Sequence, residues 1–425
     1  MAYKKRKRPL VSFNSKRKKS KGDYKSSYDE IELGQRVMSS KTRKRNKSLK
    51  KQFGLLKIVV PALLIFTICI SLICIKANHP VGLFEYFSSL VTSSGTGRGY
   101  DTEIFGGKPI YTVSAENKYF AVTNSSVNCY NKNGKVIFEK SHAYSEPVIK
   151  FGDTRYILYG QGEKEISVCT LSETLYIKNM ENSIITAAIS DSGSYAVATK
   201  AKLYDSVVFV YNKNNKQVFK WYASGETVNA LSLSADGKTL AVSTLAVKDG
   251  KFRSNIYILK FNSADAIMKC SYTDNIVYGI YESGSNRFCC VFSNNIEFID
   301  YKKKTNNSNV SEYSVSVVKK LSNRIIVLRT VAANQDQSVI EIYKLNGKLV
   351  SSFKVNNYIT DFSYKSGNVY LLGISKIFKY DISGKLMAEG DASFDAGFIE
   401  VVSKDKVACI RNSLIEKIIL SEVED

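Results

Sequence analysis

Two adjacent thiols, Cys289 and Cys290, give this 425-residue chain its nearest approach to a redox pair. In RFCCVF, neighbouring side chains of an extended strand point to opposite faces, so the two sulfurs are expected to meet different neighbours and not to bond each other. His142, in SHAYSEP, could serve as a general base beside a serine, but the chain has only two His and no nucleophile motif surrounds this one, which reads as a loop residue. Gly95, Gly97 and Gly99 repeat as G-x-G-x-G without a following lysine or a strand-to-helix switch, so they read as a flexible hinge and not as a phosphate cradle. Asp191, Asp236, Asp381 and Asp405 recur in hairpin turns, where a short carboxylate bonds its own backbone, and this reading is preferred to calcium binding. No paired carboxylates, nucleophile or metal set stands out. The expectation is a protein that is not an enzyme and has no cofactor, metal or small-molecule substrate.

The elements that carry these residues are short β-rich runs separated by Gly, Asn, Asp and Ser, with no helical period after about residue 100. A tight turn followed by such a run recurs as SAENKYFAVT from Ser114, FGDTRYILYG from Phe151, SDSGSYAVAT from Ser190 and SADGKTLAVS from Ser234. Four later copies start at Glu282, Lys320, Tyr364 and Val402, giving a period of about 41 residues. A second turn keeps the same beat as YNKNGK at Tyr130, YNKNNK at Tyr211, YKLNGK at Tyr343 and YDISGK at Tyr380. Two hairpins per unit make a four-stranded antiparallel sheet that cannot bury both faces alone, and radial stacking solves this. Residues 101–425 are therefore predicted to form an all-β propeller of eight blades, with seven as the alternative. The chain ends at SEVED without an outer strand for the last blade, so residues 102–105 are predicted to supply it. Cys129, Cys169, Cys270 and Cys409 lie in apolar runs and read, like the adjacent pair, as small buried hydrophobes.

Charge is distributed unevenly. The formal net charge is +22, yet residues 1–57 alone hold 20 Lys and Arg against four Asp and Glu. Beside them, residues 58–75, IVVPALLIFTICISLICI, carry no charge, and at 1.5 Å per residue they span about 27 Å. A single transmembrane helix is expected over residues 55–76, after a disordered basic tail over 1–54 and before a juxtamembrane linker over 77–100. The positive excess places the tail in the cytoplasm and the propeller outside the cell membrane. Lys41, Arg43, Lys44, Arg45, Lys47, Lys50 and Lys51 lie next to the span and are expected to contact anionic lipid headgroups. Nucleic acid is the less favoured partner of this tail.

The blades SLSADGKTLAVS from Ser232 and AISDSGSYAVAT from Ala188 resemble those of YVTN, quinoprotein-like and WD-repeat-like propellers, without the Trp-Asp signature. The whole layout resembles an uncharacterised bacterial family of membrane-anchored proteins carrying a domain of unknown function. That resemblance implies a fold and supplies no catalytic residues to carry over. Some eight-bladed quinoprotein dehydrogenases hold adjacent cysteines beside their cofactor, but they also rely on repeated tryptophans, whereas Trp221 is the one indole here.

The connections between second and third strands look long in blades two, three, four and six: GQGEKE at Gly160, KAKLYDS at Lys200, LAVKDGKFRSN at Leu245 and VAANQDQS at Val331. Such connections share one face of a propeller. Tyr204, Lys248, Lys251, Arg253, Arg329 and Asp336 are accordingly expected to contact an envelope protein. The resulting expectation is a bitopic scaffold or recognition module. A transmembrane sensor coupling the propeller to the tail is the alternative, and an extracytoplasmic propeller enzyme is a remoter one.

Overall fold

The computed structural model describes residues 59–69, 85, 88, 91–115, 118–263, 265–331 and 336–423. The chain divides into two compact units, Met1–Ala77 and Asn78–Asp425. In the first, residues 59–69 are helical. Among the described residues no helix is long and apolar enough to cross a membrane. The remainder of the expected span, the tail and the seven cations expected to contact lipid, Lys41 to Lys51, lie outside the described residues.

The second unit is an eight-bladed propeller, since its strands form eight sheets that follow one another along the chain. Blade 1 covers residues 111–141, blade 2 147–179, blade 3 184–223, blade 4 227–273, blade 5 279–310, blade 6 314–355 and blade 7 361–391. Blade 8 takes three strands from residues 396–419 and its outer strand, Thr102–Glu103, from the start of the unit. Thr102 faces Ile415 and Glu103 faces Leu414, and the Ile104 amide donates to the Ser413 carbonyl at 2.7 Å. The predicted closure is present, as a strand two residues shorter than expected. The Phe105 carbonyl turns instead to blade 1, accepting from Ser126 Oγ at 2.6 Å and Asn128 Nδ2 at 2.8 Å. The carboxyl end, which supplies no outer strand to blade 8, has another place. Ser421–Glu422 pairs with the outer strand of blade 7, Leu386–Asp391, and makes that sheet five-stranded.

Sequence alternation becomes ring packing through the pleat. Phe288 and Cys290 enter the apolar cluster between blades 4 and 5, whereas Cys289 and Val291 enter the one between blades 5 and 6. Each inter-blade space holds such a cluster, including the seam between blades 8 and 1, where Ile104 and Ile415 meet Tyr130. The adjacent thiols therefore point into different spaces, and both are buried and unpaired. Cys129, Cys169 and Cys409 are buried likewise, with Cys270 half-buried. Middle strands are buried on both faces, and outer strands alternate because one face meets solvent.

The second turn of the repeat has a common chemistry. Asn131, Asn212 and Asp381 each accept backbone N–H bonds through Oδ1 from the residues two and four positions on, at 2.8 to 3.1 Å. Asp236 acts similarly in a first turn, accepting from Lys238 N at 3.1 Å. Asp405 departs from that reading. Its Oδ1 takes the buried ammonium of Lys379, in blade 7, at 2.8 Å, so the turn carboxylate links two blades.

Candidate interaction face and axial bore

A propeller has two unlike faces. One carries the tight turns, inner to second strand and third to outer strand. The other carries the second-to-third connections and the crossovers between blades.

The approach to the propeller is held on the turn face. Glu85 binds Arg155 of blade 2 through two oxygens, at 2.7 Å to Nε and 2.8 Å to Nη2, and Thr154 donates to it at 3.2 Å. Arg155 also donates to the Lys213 carbonyl, in the third-to-outer turn of blade 3, at 2.6 Å. Burial works to raise the Glu85 pKa, but the hydrogen bonds and charge of Arg155 outweigh it and hold the carboxyl below its ordinary value. Asn131 donates to the Ser94 carbonyl at 2.7 Å, Thr96 exchanges backbone bonds with Val136 at 2.7 and 3.0 Å, and the Tyr100 hydroxyl reaches the Lys132 carbonyl at 2.9 Å. Gly99 has φ +92°, and a Cβ there would stand 2.5 Å from the Asn133 carbonyl oxygen. The glycines expected to give a hinge thus let the chain lie against blade 1.

The opposite face is dominated by blade 4. What reads as a long loop at Leu245 is a strand pair, Thr239–Lys248 and Lys251–Lys260, closed by a two-residue Asp249-Gly250 turn with φ of 54° and 73°. Both positive dihedrals suit the right-handed twist of a hairpin, and the Asp-Gly dipeptide between apolar runs was the available signal. Lys248 and Lys251 pair across the tip, and Val247 and Phe252 beside them are exposed. Lys251 lies 3.2 Å from Asp274 in a solvent-exposed pair that contributes little. Arg253 is half-buried, and its Nε has no hydrogen-bond partner among the described residues. Alongside, blade 3 presents Leu203, 89% exposed, and Tyr204, whose ring centroid lies 4.6 Å from that of Tyr222. These two connections make up a ridge whose hairpin carries Lys248 and Lys251 on one side and Val247 and Phe252 on the other. Leu203, Val247 and Phe252 were not singled out from sequence, although they lie within the connections KAKLYDS and LAVKDGKFRSN.

Two other anticipated connections do not join this ridge. In blade 2, Gly162 N donates to the Ile184 carbonyl at 2.9 Å and Ile184 N to the Glu163 carbonyl at 2.6 Å, which fastens the connection to blade 3. Arg329 is 0% exposed and cannot contact a partner. Its Nε binds Glu341 at 2.8 Å, and its Nη1 donates to the carbonyls of Asn294 and Tyr313 at 3.1 and 3.0 Å, so it serves the packing of blades 5 and 6. Asp336 is exposed and partnered, next to residues 332–335 outside the described set. His142 engages the Thr123 carbonyl through Nε2 at 3.2 Å and accepts from Tyr144 N at Nδ1, and burial lowers its pKa.

Inner strands of blades 1 to 6 line an axial cavity of about 660 Å³. Lys319 and Lys320 face it with their charges matched, the first by Asp361 at 2.7 Å and the second by Glu282. Deeper between blades 8, 7 and 1, Glu400 accepts from the Ser114 hydroxyl and from Ser363 Oγ at 3.2 Å, and burial raises its pKa despite the nearby charge of Lys319.

Residues 100–420 match the profile of DUF5711, described as a family of unknown function. No curated protein matches the chain significantly. Among solved structures, the C-terminal WD40 domain of Sif2 aligns with TM-score 0.51 and 10% identity over 78% of this chain and 100% of that one. BamB from Moraxella catarrhalis aligns with TM-score 0.48 and 8% identity over 76% and 99% of the two chains. The dihydro-heme d1 dehydrogenase NirN in complex with DHE gives 0.49 and 11% over 73% and 76%. At these identities the Sif2 likeness shows the propeller fold and nothing of activity.

Proposed function

The chain belongs to the DUF5711 family of unknown function, and from that premise we propose that it is a membrane-anchored recognition module of the bacterial envelope. On this reading a span within residues 55–76 holds the propeller outside the cell membrane, the basic tail rests on the inner leaflet, and the ridge of blades 3 and 4 binds an envelope protein. The observation that carries the proposal is the placement of approach and ridge on opposite faces. Glu85 and residues 94–100 dock on the turn face, whereas Val247 to Phe252 rise from the other. A tether on one face leaves the far face free to meet a partner. The hairpin of the ridge favours a partner that meets two unlike sides, a basic one carrying Lys248 and Lys251 and an apolar one carrying Val247 and Phe252. Exposed apolar side chains clustered with charges at their rim are what a protein interface requires.

Photocrosslinking in intact cells tests this reading. A photoreactive side chain at Phe252 should capture a discrete envelope protein, and one at the exposed Ile382, on the turn face, should not. Equal capture from both positions, or none from Phe252, would remove the ridge as the binding surface. Protease shaving of protoplasts checks the orientation, since an extracytoplasmic propeller must be accessible.

A further inference from the structure

Lys150 sits on the inner strand Pro147–Phe151 and faces the axial cavity. Its side chain is exposed to the solvent of the cavity, and partial desolvation by the surrounding walls lowers its pKa below that of an ordinary lysine. The other charged groups lining the cavity are accounted for. Lys319 is bound by Asp361, Lys320 by Glu282, and Asp191 has a partner. Among the described residues no hydrogen bond or ion pair engages the Lys150 ammonium. Its position in the repeat sharpens the contrast. Lys150, opposite Ile157, corresponds to Lys319, opposite Ile326, to Ser363, opposite Tyr370, and to Glu400, opposite Ala408. At this level blades 6, 7 and 8 are joined by hydrogen bonds and ion pairs, while blade 2, across the eight-membered ring from blade 6, presents an uncompensated cation.

Among the described residues Lys150 has no counter-charge in the cavity, and low-dielectric walls around it focus its field, so an anion entering the cavity is drawn to it. The volume of about 660 Å³ suits an organic molecule of moderate size. Apolar contacts are available from Val113, Val148, Ile189 and Leu231, with hydroxyls from Ser190 and Ser232. We propose that the bore is a binding site for a small organic anion, its carboxylate or phosphate seated on Lys150 and its body against the inner strands of blades 1 to 4. The site is separate from the ridge and stands or falls without it.

Pyridoxal 5′-phosphate is a suitable probe for the full chain in detergent micelles. The free Lys150 amine attacks the aldehyde carbon, water leaves, and added borohydride reduces the imine to a stable secondary amine that peptide mapping locates. Lys150 should be labelled at least tenfold faster than Lys248, and excess inorganic phosphate or benzoate should slow its labelling at least fivefold. Phosphate protecting better than benzoate identifies a phosphate ligand, and the reverse a carboxylate. Labelling no faster than at Lys248, or unaffected by either anion, would overturn the proposal. Lys150→Met should abolish the anion-dependent rise in melting temperature. If that variant fails to fold, Lys150→Arg should keep the rise while losing the label, and loss of the rise in a folded Lys150→Arg protein would count against the site.

Discussion

Thr102 lies directly opposite Ile415 in an antiparallel ladder, so the residues that precede the first blade complete the last. The ring is held shut by this ladder, by the Ile104 amide on Ser413, and by the burial of Ile104 against Ile410 and Ile415. A propeller opened at this seam exposes a strand edge and an apolar face together.

Deleting residues 101–107 from the full chain should therefore lower the melting temperature sharply. The milder Ile104→Ala removes a fully packed side chain and should cost about 2–4 kcal/mol. Differential scanning calorimetry measures both. An unchanged transition in the deletion would mean that the ladder contributes nothing to closure.

Charge reversal of the exposed Lys248 and Lys251 should abolish recovery of the partner captured from Phe252 and leave the melting temperature within about 1 °C, since exposed charges contribute little to folding. Arg329→Ala should show the opposite pattern. It strands the Glu341 carboxylate in the interior and should cost about 3–5 kcal/mol of stability. Circular dichroism melts alongside pull-down separate the two effects.

The Glu85–Arg155 clamp should respond to acid. Its folded pKa lies below the ordinary value of 4.5, so its contribution is complete above that pH and is lost as pH falls through the depressed folded value. Limited proteolysis should find residues 91–100 protected at neutral pH and cleaved readily in Glu85→Ala, and wild type should begin to resemble the variant only in strong acid. Protection in Glu85→Ala equal to wild type would show that the clamp does not hold the approach.

Cys289 and Cys290 should resist both oxidation and alkylation in the folded protein. They occupy different inter-blade spaces, and burial pushes both thiols well above their ordinary pKa. Intact mass spectrometry after mild oxidant should show no two-dalton loss at this pair, and iodoacetamide should modify it only after unfolding. Rapid labelling of native protein would contradict the packing.

The recurrence of a turn and a β-run was legible from the residues because it is local chemistry. Asn131, Asn212 and Asp381 bind their own turns wherever the chain goes, and a sheet with two apolar faces must be stacked. The missing outer strand of the last blade was equally plain, and Thr102 and Glu103 supply it. Where side chains end up relative to distant segments was not legible. Arg329 read as an exposed loop cation because its counter-charge, Glu341, and the carbonyls of Asn294 and Tyr313 meet it only when blades 5 and 6 pack. The ten-residue strands of blade 4 read as a loop because their length beyond the blade is a matter of twist and spacing, although the Asp249-Gly250 turn was written in the chain. Asp405 binds Lys379 because the buried ammonium of the neighbouring blade needs a counter-charge and reaches this carboxylate at the seam. Local hydrogen bonding and alternation thus specified the blades. The assignment of partners between blades, and with it the ridge and the uncompensated Lys150, arose only when the ring brought remote residues within bonding distance.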